Sequence, residues 1–289
     1  MLTLLAPAKL NLTLEVLGKR HDGFHEVRSI MQTIDLADSL SFQSSEQIEF
    51  KSNSPGWIAM KSLVFKATFL LRQVAGSFRG VSVGIKKVVP LLSGLGGDSS
   101  DAAAVLRGLN QLWGLGLSTE ELLVLAEQLG SDVAFFLYGG TALVEGRGEM
   151  VTALPSLAQH WIVLTIPPSP RLPGKTKQLY DSLKDAHYTD GQASQRLAEI
   201  LKTGKEITPS LLFNTFENVA FTHFSELGAL REDMVEAGAT DIHLAGSGPA
   251  LFTLLADRTQ AEELYTRLQQ AKVECYLTKT LPAVDRASE

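Results

Sequence analysis

The chain has 289 residues, enough for one large domain or two of ordinary size, and its 45% hydrophobic and 20% charged residues are typical of a globular protein. The net charge of -6, with no long basic run, argues against nucleic-acid binding, and no apolar run approaches the roughly 18 residues of a membrane span. The single cysteine, Cys275, excludes an internal disulfide and a cysteine-based zinc cluster, which fits a cytoplasmic protein.

The first half of the chain mixes predicted strands and helices. Apolar periodicity predicts strands over 2–17, 27–42 and 81–86, helices over 62–74, from about residue 100 to 112 and over 118–130, and a hairpin over 142–149. Ser62 is expected to cap the first helix, and Ser118 with Glu121 forms a capping box at the start of the third. Gly130 is expected to end that helix.

A break near residues 154–156 is followed by a second mixed region. The sequence predicts strands over 161–166, 242–245 and 251–255, a helix over 224–237, and a last helix capped by Thr259 and Glu262. Residues 184–206 are polar and are expected to be peripheral. Mixed elements in both halves predict an α+β protein of two domains, 1–155 and 156–289.

The stretch Pro90–Ala104, Pro-Leu-Leu-Ser-Gly-Leu-Gly-Gly-Asp-Ser-Ser-Asp-Ala-Ala-Ala, is the most informative in the chain. Its glycines let the backbone approach an anion closely, and the helix that follows begins with unpaired N–H donors and a partial positive charge. These features predict a phosphate cradle rather than a plain Gly/Ser turn. No lysine follows the glycines and the third glycine of a dinucleotide fingerprint is missing, so neither of those phosphate-binding motifs is present.

Four further features each have a structural and a functional interpretation. Lys9, in Ala-Lys-Leu-Asn-Leu, is either a solvent-facing lysine at a strand end or a functional cation. Phe24, in Asp-Gly-Phe-His, is either half-buried beside a hairpin turn or functional. Asp132 either caps a short helix or acts as an acid at an apolar wall. Residues 246–248, Gly-Ser-Gly, form a tight turn or a second small-residue loop packed against the phosphate site.

These motifs occur together between residues 6 and 250, and the set resembles the GHMP kinases, which phosphorylate small metabolites with ATP. The glycine-rich stretch is similar to their Pro-x-x-x-Gly-Leu-Gly-x-Ser-Ser-Ala-Ala motif. The Pro-Ala-Lys-Leu-Asn and Asp-Gly-Phe-His elements resemble the branch that acts on a CDP-linked methylerythritol in the non-mevalonate route to isoprenoid precursors. The resemblance implies an α+β fold with an N-terminal ribosomal-S5-like domain, a C-terminal ferredoxin-like domain and an active site in the cleft between them.

The resemblance also implies roles for individual residues. Lys9 and Asp132 match the catalytic pair: the aspartate takes a proton from the substrate hydroxyl, and the lysine orients that hydroxyl and offsets negative charge. The resemblance implies that Asn11 holds the substrate near its reacting hydroxyl and that Phe24 and His25 bind its cytosine. It implies further substrate contacts from Lys175 and Thr176. Mg²⁺ is implied to arrive on the nucleotide, with no separate metal site on the protein. The residues implied to bind ATP are Pro90, Leu91, Leu92, Ser93, Gly94, Leu95, Gly96, Gly97, Asp98, Ser99 and Ser100.

Three positions depart from the family pattern. Asp98 stands where the family usually has glycine, and because a carboxylate repels phosphate oxygens it is expected to face away, cap the helix that follows the loop or meet Mg²⁺. Ser62 stands where the family often has asparagine, near the adenine site. Phe24 replaces a common tyrosine, which keeps the ring for stacking and loses the hydroxyl.

Two other functions remain open from the sequence. One is a GHMP kinase with another acceptor, such as homoserine or a mevalonate phosphate, against which Phe24 and His25 argue. The other is a member that binds nucleotide or metabolite without catalysis, against which Lys9, Asp132 and the retained glycines argue. The partners expected are the small-molecule substrate and ATP, with no nucleic acid and no membrane, and the protein is expected to be a monomer or a homodimer.

Overall fold

The computed structural model of the chain describes residues 1–76, 79–168 and 174–283. The strands in these residues are β1 (Leu2–Lys19), β2 (His25–Ser45), β3 (Ile48–Ser52), β4 (Gly80–Lys86), β5 (Thr141–Gly146), β6 (Met150–Ala153), β7 (Trp161–Ile166), β8 (Phe213–Asn214), β9 (His243–Leu244), β10 (Leu251–Leu255) and β11 (Glu274–Lys279). The helices are α1 (Leu63–Val74), α2 (Gly97–Trp113), α3 (Thr119–Leu129), α4 (Val133–Tyr138), α5 (Lys175–Ser182), α6 (Gln192–Lys202), α7 (Glu217–His223), α8 (Glu226–Glu236) and α9 (Arg258–Gln270).

The chain forms two compact units. Unit 1 comprises Met1–Ala8, Leu36–Leu91 and Gly96–Tyr138, and unit 2 comprises Lys9–Asp35, Leu92–Leu95 and the chain from Gly139 onward. Strands β1 and β2 and the glycine-rich loop therefore contribute residues to both units. The domain boundary predicted at residues 155 and 156 stays a prediction.

Unit 1 combines a piece of sheet with helices α1 to α4. Strand β4 pairs antiparallel with Ser39–Ser45 of β2 and parallel with β3. Helix α2 buries the alanine run Ala102–Ala104, and its Gly108 packs against the ring of Phe42, which lies only 2.6 Å from where a Cβ would stand. The small residues of α2 thus let the helix that follows the glycine-rich loop lie close to the sheet.

Unit 2 contains a four-stranded antiparallel sheet in the order β11-β7-β10-β9. If these four strands are numbered 1 to 4 along the chain, from β7 to β11, their order across the sheet is 4-1-3-2. This is the ferredoxin-like arrangement expected for the C-terminal half. Helices α8 and α9 bury leucines against this sheet. Elsewhere in unit 2, Val27–Gln32 of β2 pair with β5, and β1 runs parallel to β8.

Most predicted elements are confirmed, one helix cap differs, and several short elements were not predicted. The side chain of Asp257 accepts from the backbone N–H of Gln260 and caps α9, so the predicted cap at Thr259 is wrong. The expectation that residues 184–206 are peripheral stays a prediction: most of them are exposed, and α6 buries Ser194 and an apolar stripe on one face. Sequence patterns did not predict five elements: β3, α5, α6, α7 and β8. Helix α5 follows a proline-rich stretch and carries mostly polar residues.

Candidate active site

Lys9 and Asn11 lie on the same face of β1, since side chains two residues apart on a strand point the same way. The Lys9 Nζ donates to Asn11 Oδ1 at 2.7 Å, and both side chains are only 5% exposed. The backbone N–H of Lys9 donates to the carbonyl of Leu95 at 2.9 Å. A lysine buried on the core side of a strand, held by a neighbouring amide and by the glycine-rich loop, is not the solvent-facing strand-end lysine of the structural interpretation.

Two small-residue loops meet beside this pair within unit 2. A Cβ on Gly94 would stand 2.1 Å from the Ala245 carbonyl, and one on Gly246 would stand 3.0 Å from Lys9 Nζ and 3.2 Å from Asn11 Oδ1. Both glycines have positive φ angles, 90° and 57°. Only glycine fits these positions, so residues 246–248 form the second small-residue loop rather than an isolated turn.

The start of α5 closes the same group of residues. Lys175 Nζ donates to the Leu92 carbonyl at 2.6 Å, and the hydroxyls of Thr176 and Ser247 lie 2.8 Å apart. Lys175 is 8% exposed. The structure therefore brings together, in unit 2, five predicted site residues or segments: Lys9, Asn11, residues 92–95, Lys175 and Thr176.

An aromatic cluster surrounds His25. Its ring stacks on Tyr180, with centroids 4.6 Å apart and planes 19° apart, and Tyr188 Oη lies 3.5 Å from His25 Nε2. Burial lowers the pKa of His25, and the nearby Lys19 lowers it further, which favours the neutral ring. Phe24 is 54% exposed and carries the Arg147 guanidinium 4.9 Å from its ring centre.

Tyr180, Tyr188 and Arg147 also contact His25 or Phe24, and no sequence pattern predicted them as site residues. Tyr180 lies on α5, one turn beyond Thr176, so a correct prediction of α5 would have placed it on the face of that helix near the site. Tyr188 and Arg147 carry no local signal, because each reaches His25 or Phe24 from a distant part of the chain.

The second part of the glycine-rich loop lies in unit 1. Gly96 has a φ of 73° and precedes α2, whose first turn contains Asp98 and the two serines. Asp98 Oδ2 accepts from the backbone N–H of Leu63 at 3.0 Å. The carboxylate thus satisfies an unpaired donor at the start of α1, whereas the capping role expected for this departure concerned α2, the helix that follows the loop. Ser62, a second of the three departures, caps the same helix by accepting from Phe65 N–H at 3.4 Å.

A buried triad of two aspartates and a lysine fastens α2 to the sheet of unit 1. Lys87 Nζ lies 2.5 Å from Asp38 and 2.7 Å from Asp101, and both carboxylates are fully buried. Burial lowers the pKa of Lys87, and the two carboxylates raise it by more, so the net shift is upward. Burial raises the pKa of Asp101 to about 7 against the attraction of Lys87. The triad fixes the helix whose first turn carries the loop serines.

Asp132 belongs to unit 1 and directly precedes α4. It is half-buried, and the next five residues, Val133–Leu137, are all buried and apolar. The acid therefore stands both at the edge of an apolar wall and at the N-cap position of a short helix, so the structure is compatible with both interpretations of Asp132.

The described residues were also compared with what a metal site and a membrane span require. In the part of the chain that the structure describes, no cluster of three His, Cys, Asp or Glu side chains is arranged to hold a metal ion. The Ser100 hydroxyl in the same residues is buried with no hydrogen-bond partner. None of the described helices is long and apolar enough to cross a bilayer.

Comparison with known proteins gives the class and then the family. The family model for the GHMP kinases N terminal domain matches residues 62–140, and that for GHMP kinases C terminal matches residues 193–274. The chain is a GHMP kinase, and the predicted α+β GHMP kinase fold is confirmed.

Individual relatives show to which family of GHMP kinases the chain belongs. A 4-diphosphocytidyl-2-C-methyl-D-erythritol kinase of Dehalococcoides mccartyi is 51% identical over 99% of this chain and 100% of its own length. One of Symbiobacterium thermophilum is 37% identical over 95% of this chain and 98% of its own. A crystal structure of 4-(cytidine 5'-diphospho)-2C-methyl-D-erythritol kinase, 31% identical, superposes with a TM-score of 0.81 and covers 96% of this chain and 99% of that one. The chain belongs to the 4-diphosphocytidyl-2-C-methyl-D-erythritol kinase family.

Proposed function

We propose that this protein transfers the γ-phosphoryl group of ATP to the 2-hydroxyl of 4-diphosphocytidyl-2-C-methyl-D-erythritol, in the non-mevalonate supply of isoprenoid precursors. Full-length similarity to kinases of that name supports the substrate. The observation that carries the chemistry is the buried Lys9–Asn11 pair beside two loops that only glycine can form.

In the proposed reaction, Asp132 accepts the proton of the attacking hydroxyl and Lys9 orients that hydroxyl. The side-chain carbonyl of Asn11 accepts a hydrogen bond from the Lys9 ammonium, so the position of this positive charge is fixed before the substrate binds. Fixed charge is what phosphoryl transfer needs, because its catalysis rests on positioning and on neutralising the phosphate oxygens.

ATP is proposed to bind with its phosphates on residues 90–100. The backbone there has positive φ at Leu92, Gly94 and Gly96, and α2 begins directly after Gly96. Successive N–H groups at such a loop and helix start favour anions. Asp98 is committed to the Leu63 N–H, so its carboxylate has a partner other than a phosphate.

Mg²⁺ is proposed to arrive on the nucleotide. The donor set fits, since the buried Ser100 hydroxyl lies in the first turn of α2 without a protein partner among the described residues. Mg²⁺ prefers phosphate oxygens with one or two protein ligands, and it neutralises the charge on the transferred phosphate. Ser100 and the phosphates would hold it.

The cytosine of the substrate is proposed to stack on Phe24, with His25 reading its polar edge. A phenylalanine that is 54% exposed leaves ring surface for a base, and the neutral His25 ring is held in place by Tyr180. Lys175 and Thr176 are proposed to add contacts from the start of α5. A cytoplasmic location and a monomeric or homodimeric state stay predictions.

The test is ADP release from Mg-ATP with the purified protein. CDP-methylerythritol, free methylerythritol, homoserine and phosphomevalonate are compared as acceptors at equal concentration. Turnover with the CDP compound alone supports the proposal. Turnover with a different acceptor would keep the kinase chemistry and reject the cytidine site, and no turnover with any acceptor would favour a non-catalytic member of the family.

A further inference from the structure

A buried run of hydrogen bonds continues from the Lys9–Asn11 pair to the neighbouring strand. Asn11 Nδ2 donates to Ser29 Oγ at 2.8 Å, and Ser29 Oγ donates to the backbone carbonyl of Thr13 at 2.5 Å. All these side chains belong to unit 2, and Asn11 and Ser29 are 5% and 3% exposed. Water therefore has little access to replace either bond.

The direction of every bond in this run is set by the backbone. A carbonyl only accepts, so the Thr13 carbonyl takes the one hydrogen of the Ser29 hydroxyl. Ser29 Oγ is then left as an acceptor for Asn11, and the Asn11 amide must turn its NH₂ group toward Ser29. Its carbonyl oxygen consequently faces the Lys9 ammonium.

Thr13 is itself held on its other side by α6. Ser194 Oγ donates to the Arg28 carbonyl at 3.1 Å, and the Thr13 and Ser194 hydroxyls lie 2.8 Å apart. The backbone N–H of Ile30 donates to Thr13 Oγ1 at 2.9 Å. The carbonyl that starts the run therefore belongs to a residue held by both β2 and α6, which gives the buried Ser194 of α6 its partners.

We propose that Ser29 is a positioning residue of the kinase reaction, which fixes the amide of Asn11 so that its carbonyl holds Lys9. This inference rests on the proposed roles of Lys9 and Asn11. Without the Ser29 acceptor the Asn11 NH₂ group loses its buried partner. Only the Lys9 ammonium, which donates and needs an acceptor, then favours this amide orientation, so the Asn11 carbonyl is held less firmly against Lys9. Ser29 does not touch the substrate; it acts through Asn11.

The kinetic test is a double-mutant cycle on Ser29→Ala and Asn11→Ala. Because a misplaced reacting group of about 1 Å costs on the order of a hundredfold, Ser29→Ala should lower kcat by roughly ten- to a hundredfold and leave the KM for ATP unchanged. Adding Ser29→Ala to Asn11→Ala should cause no further loss, since the two residues act as a unit. Independent, additive losses would overturn the proposal.

Two further variants separate positioning from simple folding. Ser41→Ala removes a hydroxyl from the same strand outside this run and should keep normal kcat. Ser29→Cys keeps a side chain of similar size with a weaker acceptor, so it should shift kcat in the same direction by less and keep the melting temperature. A Ser29→Cys variant with full kcat would contradict the proposal.

A measurement independent of turnover distinguishes this inference from the proposed function. The side-chain ¹⁵N–¹H signals of Asn11, identified by their loss in Asn11→Ala, should exchange slowly with water and should shift and exchange faster in Ser29→Ala and Ser29→Cys. Unchanged Asn11 signals would refute the Ser29 link whatever the substrate. A wild-type protein with normal Asn11 signals but no turnover of the CDP compound would refute the proposed function instead.

Discussion

At the scale of single residues, Phe24 is the large apolar side chain most exposed at the candidate site. Its ring is 54% exposed and lies under the Arg147 guanidinium at 4.9 Å. A cation over one face of an aromatic ring holds the ring in place and leaves the opposite face available. The backbone N–H of Phe24 also donates to Asp22 Oδ1, which fixes the turn that presents the ring.

We expect Phe24→Ala to raise the KM for the CDP substrate and leave the KM for ATP unchanged. A base stacked on an aromatic ring is worth about 1–3 kcal/mol, which corresponds to a rise of roughly five- to 150-fold. Steady-state kinetics with each substrate varied in turn measures it. Phe69→Ala, on an exposed ring of α1, is the matched control, and equal weakening of both substrates would contradict the stacking role.

Asp132 gives a second prediction at this scale. Asp132→Asn keeps the size of the side chain and removes the proton acceptor, so kcat should fall by roughly 10²- to 10⁴-fold while ATP binding is retained. Single-turnover kinetics and ATP titration measure the two effects. Glu127→Gln, an exposed carboxylate on α3, should leave kcat unchanged. Normal turnover of Asp132→Asn would remove Asp132 as the base.

At the scale of elements, helix caps formed by residues close in sequence were predicted correctly. Caps that depend on the tertiary structure were not. The α3 capping box of Ser118 and Glu121 needs only residues three apart, and both of its hydrogen bonds are present. For α9, Asp257 and Thr259 both suit a cap, and the choice depends on where the chain leaves β10 at Leu255, which tertiary structure decides.

The same division applies to the candidate site. Lys9, Asn11 and Gly94 could be predicted because each lies in a short motif of distinctive composition. Ser29 and Tyr180 could not, since a serine in a strand and a tyrosine in a polar segment have no local pattern that indicates their partners. Ser29 reaches Asn11, and Tyr180 reaches His25, only when the strands and α5 are assembled.

Helix α6 shows what this long-range contact contributes to stability. Glu15 of β1 is 2% exposed, and its carboxylate accepts from the backbone N–H groups of Ala193 at 3.3 Å and Ser194 at 2.7 Å. These are unpaired donors in the first turn of α6, so the carboxylate caps that helix from another part of the chain.

Glu15→Gln should therefore destabilise the fold. It replaces a charged acceptor with an amide whose NH₂ group faces backbone donors, and hydrogen bonds to charged groups are worth about 1.5–3 kcal/mol, so we expect a loss of about 2 kcal/mol. Chemical denaturation followed by circular dichroism measures it. Glu199→Gln, on the exposed side of α6, should change stability little. An unaltered midpoint in Glu15→Gln would contradict the cap.

At the scale of the whole molecule, the buried triad of Asp38, Lys87 and Asp101 links stability to pH. Burial raises the pKa of Asp101 to about 7, from an ordinary value of 3.8. Asp38 accepts in addition from the backbone N–H groups of Val88 and Val89, so its carboxylate is more fully satisfied than that of Asp101. One oxygen of Asp101 has no hydrogen-bond partner in the described residues.

The sign of the pH dependence follows from these two pKa values. Between about pH 4 and pH 7 the folded protein keeps a proton on Asp101 that the unfolded chain has released. Folding then takes up a proton, so the contribution of Asp101 to stability is greatest at the acidic end of this window and declines as the pH rises through it. Lys87 stays charged throughout, because its pKa is raised.

Asp101→Asn should remove this part of the pH dependence. Relative to the wild type, the variant should gain melting temperature steadily as the pH rises from about 4 to about 7, because only the wild type loses the Asp101 contribution over that range. The comparison of the two proteins at each pH cancels the carboxylates and histidines that both retain. Asp233→Asn, an exposed carboxylate on α8, should run parallel to the wild type at every pH. A constant difference between Asp101→Asn and the wild type would mean that Asp101 is ionised in the folded protein across the whole window, and that the triad is a fully charged network.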